Sequence, residues 1–120
     1  FVMGCGRAFG NMQDLFASVE IVGALPEATK LFTGHDYTLS NARFARHVDP
    51  ANAVVKQRFE AAEASKEADR FWGATTLAQE KASNPFLRLR QPDVIASAGL
   101  QPGAEPGAVF AALREMKNKM

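Results

Sequence analysis

LFTGHDYTLSNARFARHVDP, residues 31–50, changes character part-way along, and the point of change decides how the chain is built. Lys30 to Thr33 is a short run that can form a strand, Gly34 stops it, and His35, Asp36 and Tyr37 occupy the turn that follows. A helical pattern then begins at Thr38 or Ser40, either of which can cap it, and continues through Val48. Asp49 and Pro50 supply an N-cap and a first-turn proline for another helix. The pattern carries that helix to about Arg70, with Val54, Val55, Phe59 and Ala62 on its buried face.

Upstream, Met12, Leu15, Phe16, Val19 and Val22 fall at helical spacing behind Asn11, an N-cap type, with Asp14 in the first turn and an end near Gly23. The residues before them, GCGRAFG, read as a loop where the backbone turns tightly or comes close to a ligand, without the spacing of a phosphate-binding loop. Downstream, Thr76 and Gln79 are spaced as a capping box for a short helix over 76–81, and Asn84-Pro85 restarts the chain as NPFLRLR. Pro92 to Ala98 is helical and closed by Gly99. A loop, GLQPGAEPG, then precedes a last helix in which Val109, Phe110 and Leu113 share a face. The fold class is therefore mainly α, with one or two strands near the start.

A chain of 120 residues is enough for one modest core, burying about two thirds of the surface that the unfolded form exposes. Fourteen basic and thirteen acidic side chains leave a formal charge of +1, too balanced for the electrostatic footprint of a nucleic-acid or anionic-membrane binder. Any anion site must come from a local cluster. A single cysteine, Cys5, allows no intrachain disulfide and no cysteine-based zinc site, and favours a reducing compartment. With no apolar run of membrane-spanning length and no secretory pattern, the chain reads as soluble, its start cut out of something longer.

Few residues carry chemistry, and each has an ordinary alternative. His35 is either a structural imidazole or a ligand, and its place on a loop at a strand end, behind Gly34, raises the second reading. His47, between Arg46 and Asp49 on a helix, reads as solvated and takes no role. Tyr37 is a core aromatic or a binding group. Arg114 and Lys117, three apart on the last helix, either grip a carboxylate or phosphate together or complement the helix dipole. Arg7 is equally open. No Ser/His/Asp triad, Cys/His pair or HExxH helix is present, so the residues alone do not name a reaction.

Taken in order, GCGRAF, ALP, FTGHDYTLSNARFARHVDPAN, NPFLR and the closing ALREMK resemble the C-terminal half of the hydroxyacylglutathione hydrolase, or glyoxalase II, family over nearly all 120 residues. The resemblance implies the last helix and strand of a metallo-β-lactamase αββα sandwich over residues 1–36, followed by a helical domain over 37–120. It implies a metal-dependent hydrolase that converts the thioester S-(D-lactoyl)glutathione to glutathione and D-lactate in methylglyoxal detoxification. Two divalent metal ions would serve it, zinc first, with iron and manganese as alternatives. His35 would be the last metal ligand; Arg7, Tyr37, Arg114 and Lys117 would contact glutathione, whose two carboxylates need local cations.

Phe9 stands in the substrate region where some members carry tyrosine, so a hydroxyl contact is lost there, and the following AFGNMQ loop is one residue shorter than the usual pattern. The family's THxHxDH ligand run, a second histidine and the bridging aspartate are not in these 120 residues, so no catalytic residue is assigned, and the piece alone is expected to be inactive. The expected protein is a cytoplasmic monomer, with the mitochondrion as the alternative compartment, binding a small glutathione thioester and neither nucleic acid nor membrane. The competing reading is a non-catalytic helical module that binds a glutathione-like anion or a protein partner.

Overall fold

A computed structural model describes residues 1–6, 11–33, 37–67 and 75–120. It is mainly helical, as the periodicity predicts. Helix α1 (Met12–Gly23) starts where Asn11 Oδ1 accepts the Asp14 N–H at 2.8 Å, and the Ala24 N–H closes it onto the carbonyl of Glu20. The expected strand shortens to β1 (Lys30–Leu31). Its partner, β2 (Thr75–Thr76), comes from far along the sequence: the two run antiparallel, with Lys30 opposite Thr76 and Leu31 opposite Thr75. A strand of two residues has no periodicity to read, so β2 was not foreseeable from pattern.

Helix α2 (Thr38–Val48) begins one residue earlier than a Thr38 cap would place it. Tyr37 holds the N-cap position and makes no side-chain cap bond. Helix α3 (Ala53–Glu67) also departs from expectation at its start. Asp49 instead closes α2, its N–H donating to the Ala45 carbonyl, while Asn52 Oδ1 takes the N–H groups of Val54 and Val55 at 2.9 and 3.3 Å. Asn52 is thus the cap, three residues beyond the expected one, and residues 68–70 of the expected helix lie outside the described residues.

The later punctuation reads as the residues predict. Thr76 and Gln79 form a complete capping box on α4 (Leu77–Ser83), and Asn84 Oδ1 caps a 3-10 turn (Pro85–Leu87) through the Phe86 N–H. Helix α5 (Pro92–Ser97) has Pro92 in its first turn and gives way to Gly99 at φ 77°, a left-handed conformation that suits glycine. Helix α6 (Pro106–Asn118) ends the fold.

One core cluster joins α1, α2, the 3-10 turn, α5 and α6. At its centre Phe86 stacks on Phe44 (5.9 Å between centroids) and meets Phe110 edge-on (5.3 Å), and Phe16 reaches Phe110 at 5.4 Å. Such ring pairs contribute roughly 0.5–1.5 kcal/mol each beyond their burial. A second cluster carries Val2 and Met3 against Ala42 and Ala45 of α2 and Val55 and Ala62 of α3. Residues 1–5 are therefore packed on the helices from two sides. The domain boundary expected after residue 36 falls beside residues 34–36, which are outside the described residues. Among the described residues, no helix is long and apolar enough to cross a membrane.

Gly4 is fixed by a close approach rather than by its φ. A Cβ there would sit 2.6 Å from Asn41 Cγ and 2.8 Å from its Oδ1, and Asn41 is buried and donates from Nδ2 to the Val2 carbonyl at 3.0 Å. Asn41 cannot yield without giving up that bond. Gly4→Ala is therefore expected to destabilise the fold by about 1–3 kcal/mol, measured as a lower urea midpoint; an unchanged midpoint would refute the close-packing account.

Candidate functional site

Two polar constructions surround residues 1–6, and both come from side chains that fold onto the main chain of that segment. The first is centred on Glu80, which is fully buried. Its Oε1 accepts from Arg58 Nη1 at 3.0 Å and Thr75 Oγ1 at 2.9 Å; its Oε2 accepts from the Met3 N–H at 2.8 Å and Asn84 Nδ2 at 2.9 Å. Asn84 Nδ2 also donates to the carbonyls of Phe1 and Gly4, both at 3.0 Å, and Arg58 reaches Ser83 Oγ at 2.7 Å. A buried carboxylate survives only when its lone pairs are satisfied and its charge is paired. Here α3, β2 and Asn84, just past α4, meet both needs, and the remaining one of the four donors is the backbone of Met3.

The segment leaves this anchor through Cys5 and Gly6 and meets the second construction at the C-terminal end of α6. Arg114 is buried, its Nη1 donating to the Cys5 carbonyl, while its Nε and Nη2 donate to Asn118 Oδ1 at 3.3 and 2.8 Å. One turn on, Lys117 Nζ lies 3.5 Å from Ser40 Oγ in the first turn of α2 and 5.9 Å from the centroid of the Phe44 ring. Tyr37, at the entrance of that helix, is 61 % exposed. The first turn of α2 contains no acidic residue, so the positive end of its dipole adds to the Lys117 ammonium. Burial, and then the Arg114 guanidinium beside it, hold the Lys117 ammonium below the usual lysine range, with Cys5 acting weakly the other way.

Three of the residues singled out in the sequence are among the described residues. Tyr37 stands at the start of α2 and Lys117 reaches that first turn from α6, while the Arg114 guanidinium turns to the Cys5 carbonyl and Asn118. The spot suits an anion, because the Lys117 ammonium and a helix N-terminus meet there, partly desolvated, with the Arg114 guanidinium close enough to Lys117 to add to the field. Arg7, Phe9 and His35 lie outside the described residues. Among the described residues no three His, Cys, Asp or Glu side chains stand together as a metal site. His47 is exposed on α2, as its solvated reading requires.

A family model described as "Hydroxyacylglutathione hydrolase C-terminus" matches residues 36–120, which include Tyr37, Arg114 and Lys117. The chain belongs to the hydroxyacylglutathione hydrolase C-terminal family. It is 49 % identical over 120 residues to a hydroxyacylglutathione hydrolase of Methylobacterium nodulans, covering 99 % of this chain and 47 % of the relative. Proteins of the same name from Alkalilimnicola ehrlichii and Nitrosomonas europaea are 44 % and 43 % identical, over 99 % and 98 % of this chain and 48 % and 47 % of their own lengths. The chain thus spans about half the length of the curated relatives it matches.

Within this family domain, the residues that sequence reasoning passed over are those whose partners are remote. Arg58 carried a signal: it lies three residues after Val55 and four before Ala62, on the buried face of α3, where a cation requires a counter-charge. Nothing near it in sequence pointed to Glu80. Asn118 was passed over because a polar residue at an exposed helix end is unremarkable. Cys5 is buried, and burial pushes its thiol up, with the Arg114 guanidinium opposing; the side chain stays a neutral thiol at pH 7 and makes a poor nucleophile.

Proposed function

We propose that the whole protein hydrolyses the thioester S-(D-lactoyl)glutathione to glutathione and D-lactate, and that this part of it holds the glutathione end of the substrate. The observation that carries the reading is the meeting of Lys117 of α6 with the first turn of α2, one turn from a buried Arg114, in a chain matched along almost its whole length by proteins named hydroxyacylglutathione hydrolase. Glutathione is a peptide with two carboxylates, and a chain of net charge +1 has no diffuse field to hold it. A carboxylate placed between Lys117 Nζ and Ser40 Oγ gains a charge-assisted bond and a hydroxyl donor at once. Tyr37, exposed at the N-cap of α2, has an amphipathic ring suited to the peptide portion, and Arg7 and Phe9 are proposed to contact the same ligand.

His35 is proposed as one ligand of a centre of two divalent ions, zinc first, with iron or manganese as alternatives. A neutral imidazole suits all three metals, and one imidazole has to be joined by ligands from elsewhere in the protein. When bound, such ions lower the pKa of a coordinated water and polarise the thioester carbonyl. The residues of this chain bind the thiol carrier and orient it, which holds the thioester in one place while its acyl carbon reacts.

The test is thiol release from S-(D-lactoyl)glutathione by the full-length protein. Turnover that a chelator abolishes and added zinc restores is expected, with none from the 120 residues alone, and His35→Ala is expected to lower both metal content and rate. Glutathione binding by the full-length protein without turnover would replace the hydrolase with the non-catalytic binding module.

A further inference from the structure

We infer that Asn118 is a positioning residue that sets the Arg114 guanidinium against the Cys5 carbonyl, beside the proposed substrate site, an inference that rests on the glutathione reading above. Arginine offers donors only, so the atom of Asn118 that faces it has to be Oδ1. That oxygen takes both Nε–H and Nη2–H, at 3.3 and 2.8 Å. These two donors share one edge of the planar guanidinium, and a single acceptor holding both fixes the plane. Nη1, on the opposite side, is thereby aimed at the Cys5 carbonyl. Asn118 is exposed while Arg114 is 5 % exposed, so the asparagine closes the outer edge of a cation that is otherwise inside the protein.

The consequence is a relay of distances. Asn118 and Arg114 sit four apart on α6, one turn, so the pair forms without distorting the helix. The carbonyl they hold belongs to the residue two before Arg7, and Lys117 lies between them in sequence. Asn118, through Arg114, therefore fixes how far the strip of chain entering residue 7 stands from the α6 turn that carries Lys117. A substrate bridging those two places senses that spacing. Without Asn118 the Nε–H and Nη2–H lose this shared acceptor, and both ends of the relay loosen.

The experiment uses the full-length protein and compares Asn118→Leu, Asn118→Asp, Arg114→Ala and the Arg114→Ala/Asn118→Leu double variant. Leucine removes the acceptor while favouring the helix; aspartate keeps an oxygen for both N–H groups. Asn118→Leu is expected to raise KM for the glutathione thioester roughly tenfold, the worth of about one hydrogen bond to a charged group, with kcat little changed. Asn118→Asp should stay near the parent protein, and the double variant should be no worse than Arg114→Ala alone, because the two residues act as one unit. The Arg114 Nε–H proton resonance should be resolved in the parent and in Asn118→Asp and lost to exchange in Asn118→Leu. An Asn118→Leu protein with parental KM and a retained Nε–H resonance overturns the inference, as does Asn118→Asp behaving like Asn118→Leu. A parent protein that leaves the thioester intact overturns the functional reading instead, and the resonance comparison then decides the positioning role by itself.

Discussion

Replacing Glu80 with alanine is expected to remove roughly 3–5 kcal/mol of folding stability, the range for breaking a buried ion pair from one side. The carboxylate is fully buried, and its removal takes a buried acceptor from Arg58 Nη1, Thr75 Oγ1, Asn84 Nδ2 and the Met3 N–H together, along with the negative charge paired with Arg58. A loss of that size is a large fraction of the roughly 5–15 kcal/mol that holds an ordinary domain together. The measurement is a urea titration followed by two probes. A midpoint within experimental error of the parent would show that the four donors find other partners. Exchanging both charged partners at once, Glu80→Leu with Arg58→Met, should do less harm than Glu80→Ala, since no charge is then left unpaired.

The second large effect falls on binding. Lys117→Ala is expected to raise KM for the glutathione thioester by roughly 10–100-fold with a much smaller change in kcat, because a hydrogen bond to a charged group contributes roughly 1.5–3 kcal/mol and each tenfold is about 1.36. The pH dependence follows from the direction of the lysine shift. Burial and Arg114 lower the Lys117 pKa, so the ammonium is lost at a lower pH than on an ordinary lysine, and affinity for a carboxylate should weaken as pH rises through that lowered value. Lys117→Arg, which keeps its charge, should move this alkaline limb upward, and Lys117→Ala should abolish it. Stability moves in the opposite sense. A lysine whose folded pKa lies below its unfolded value carries a penalty at lower pH, relieved between that folded pKa and the ordinary value of about 10.4. KM profiles that coincide for the parent and Lys117→Ala would remove Lys117 from the substrate site.

Much of the architecture could be read from local residues, because local residues make it. Asn11, Thr76 and Asn84 act as caps within three positions of themselves, and a cap is legible wherever donor and acceptor are neighbours in sequence. Asp49 shows where this fails. It is a cap residue by type, but Arg88 Nε and Asn52 Nδ2 both bind its Oδ2, at 3.2 and 3.0 Å, so tertiary partners took the carboxylate and Asn52 took the cap. The candidate site divides in the same way. Arg114 and Lys117 were legible as a pair because one helix turn separates them. Ser40, Asn118 and Glu80 were not, since their parts depend on contacts across the fold or on an exposed residue with no pattern of its own.

The distance along the chain between Cys5 and Arg114, 109 residues, also sets an order of events during synthesis. Residues 1–5 leave the ribosome well before their partners, so Met3 must wait for Glu80 and Cys5 for Arg114. At roughly 5–20 residues per second, the Cys5 carbonyl spends about 5–20 s of translation before its final partner exists. Val2 and Met3 can pack on α2 and α3 once residue 62 is made, so the Cys5 end of the segment, against α6, is the last part of this region to close.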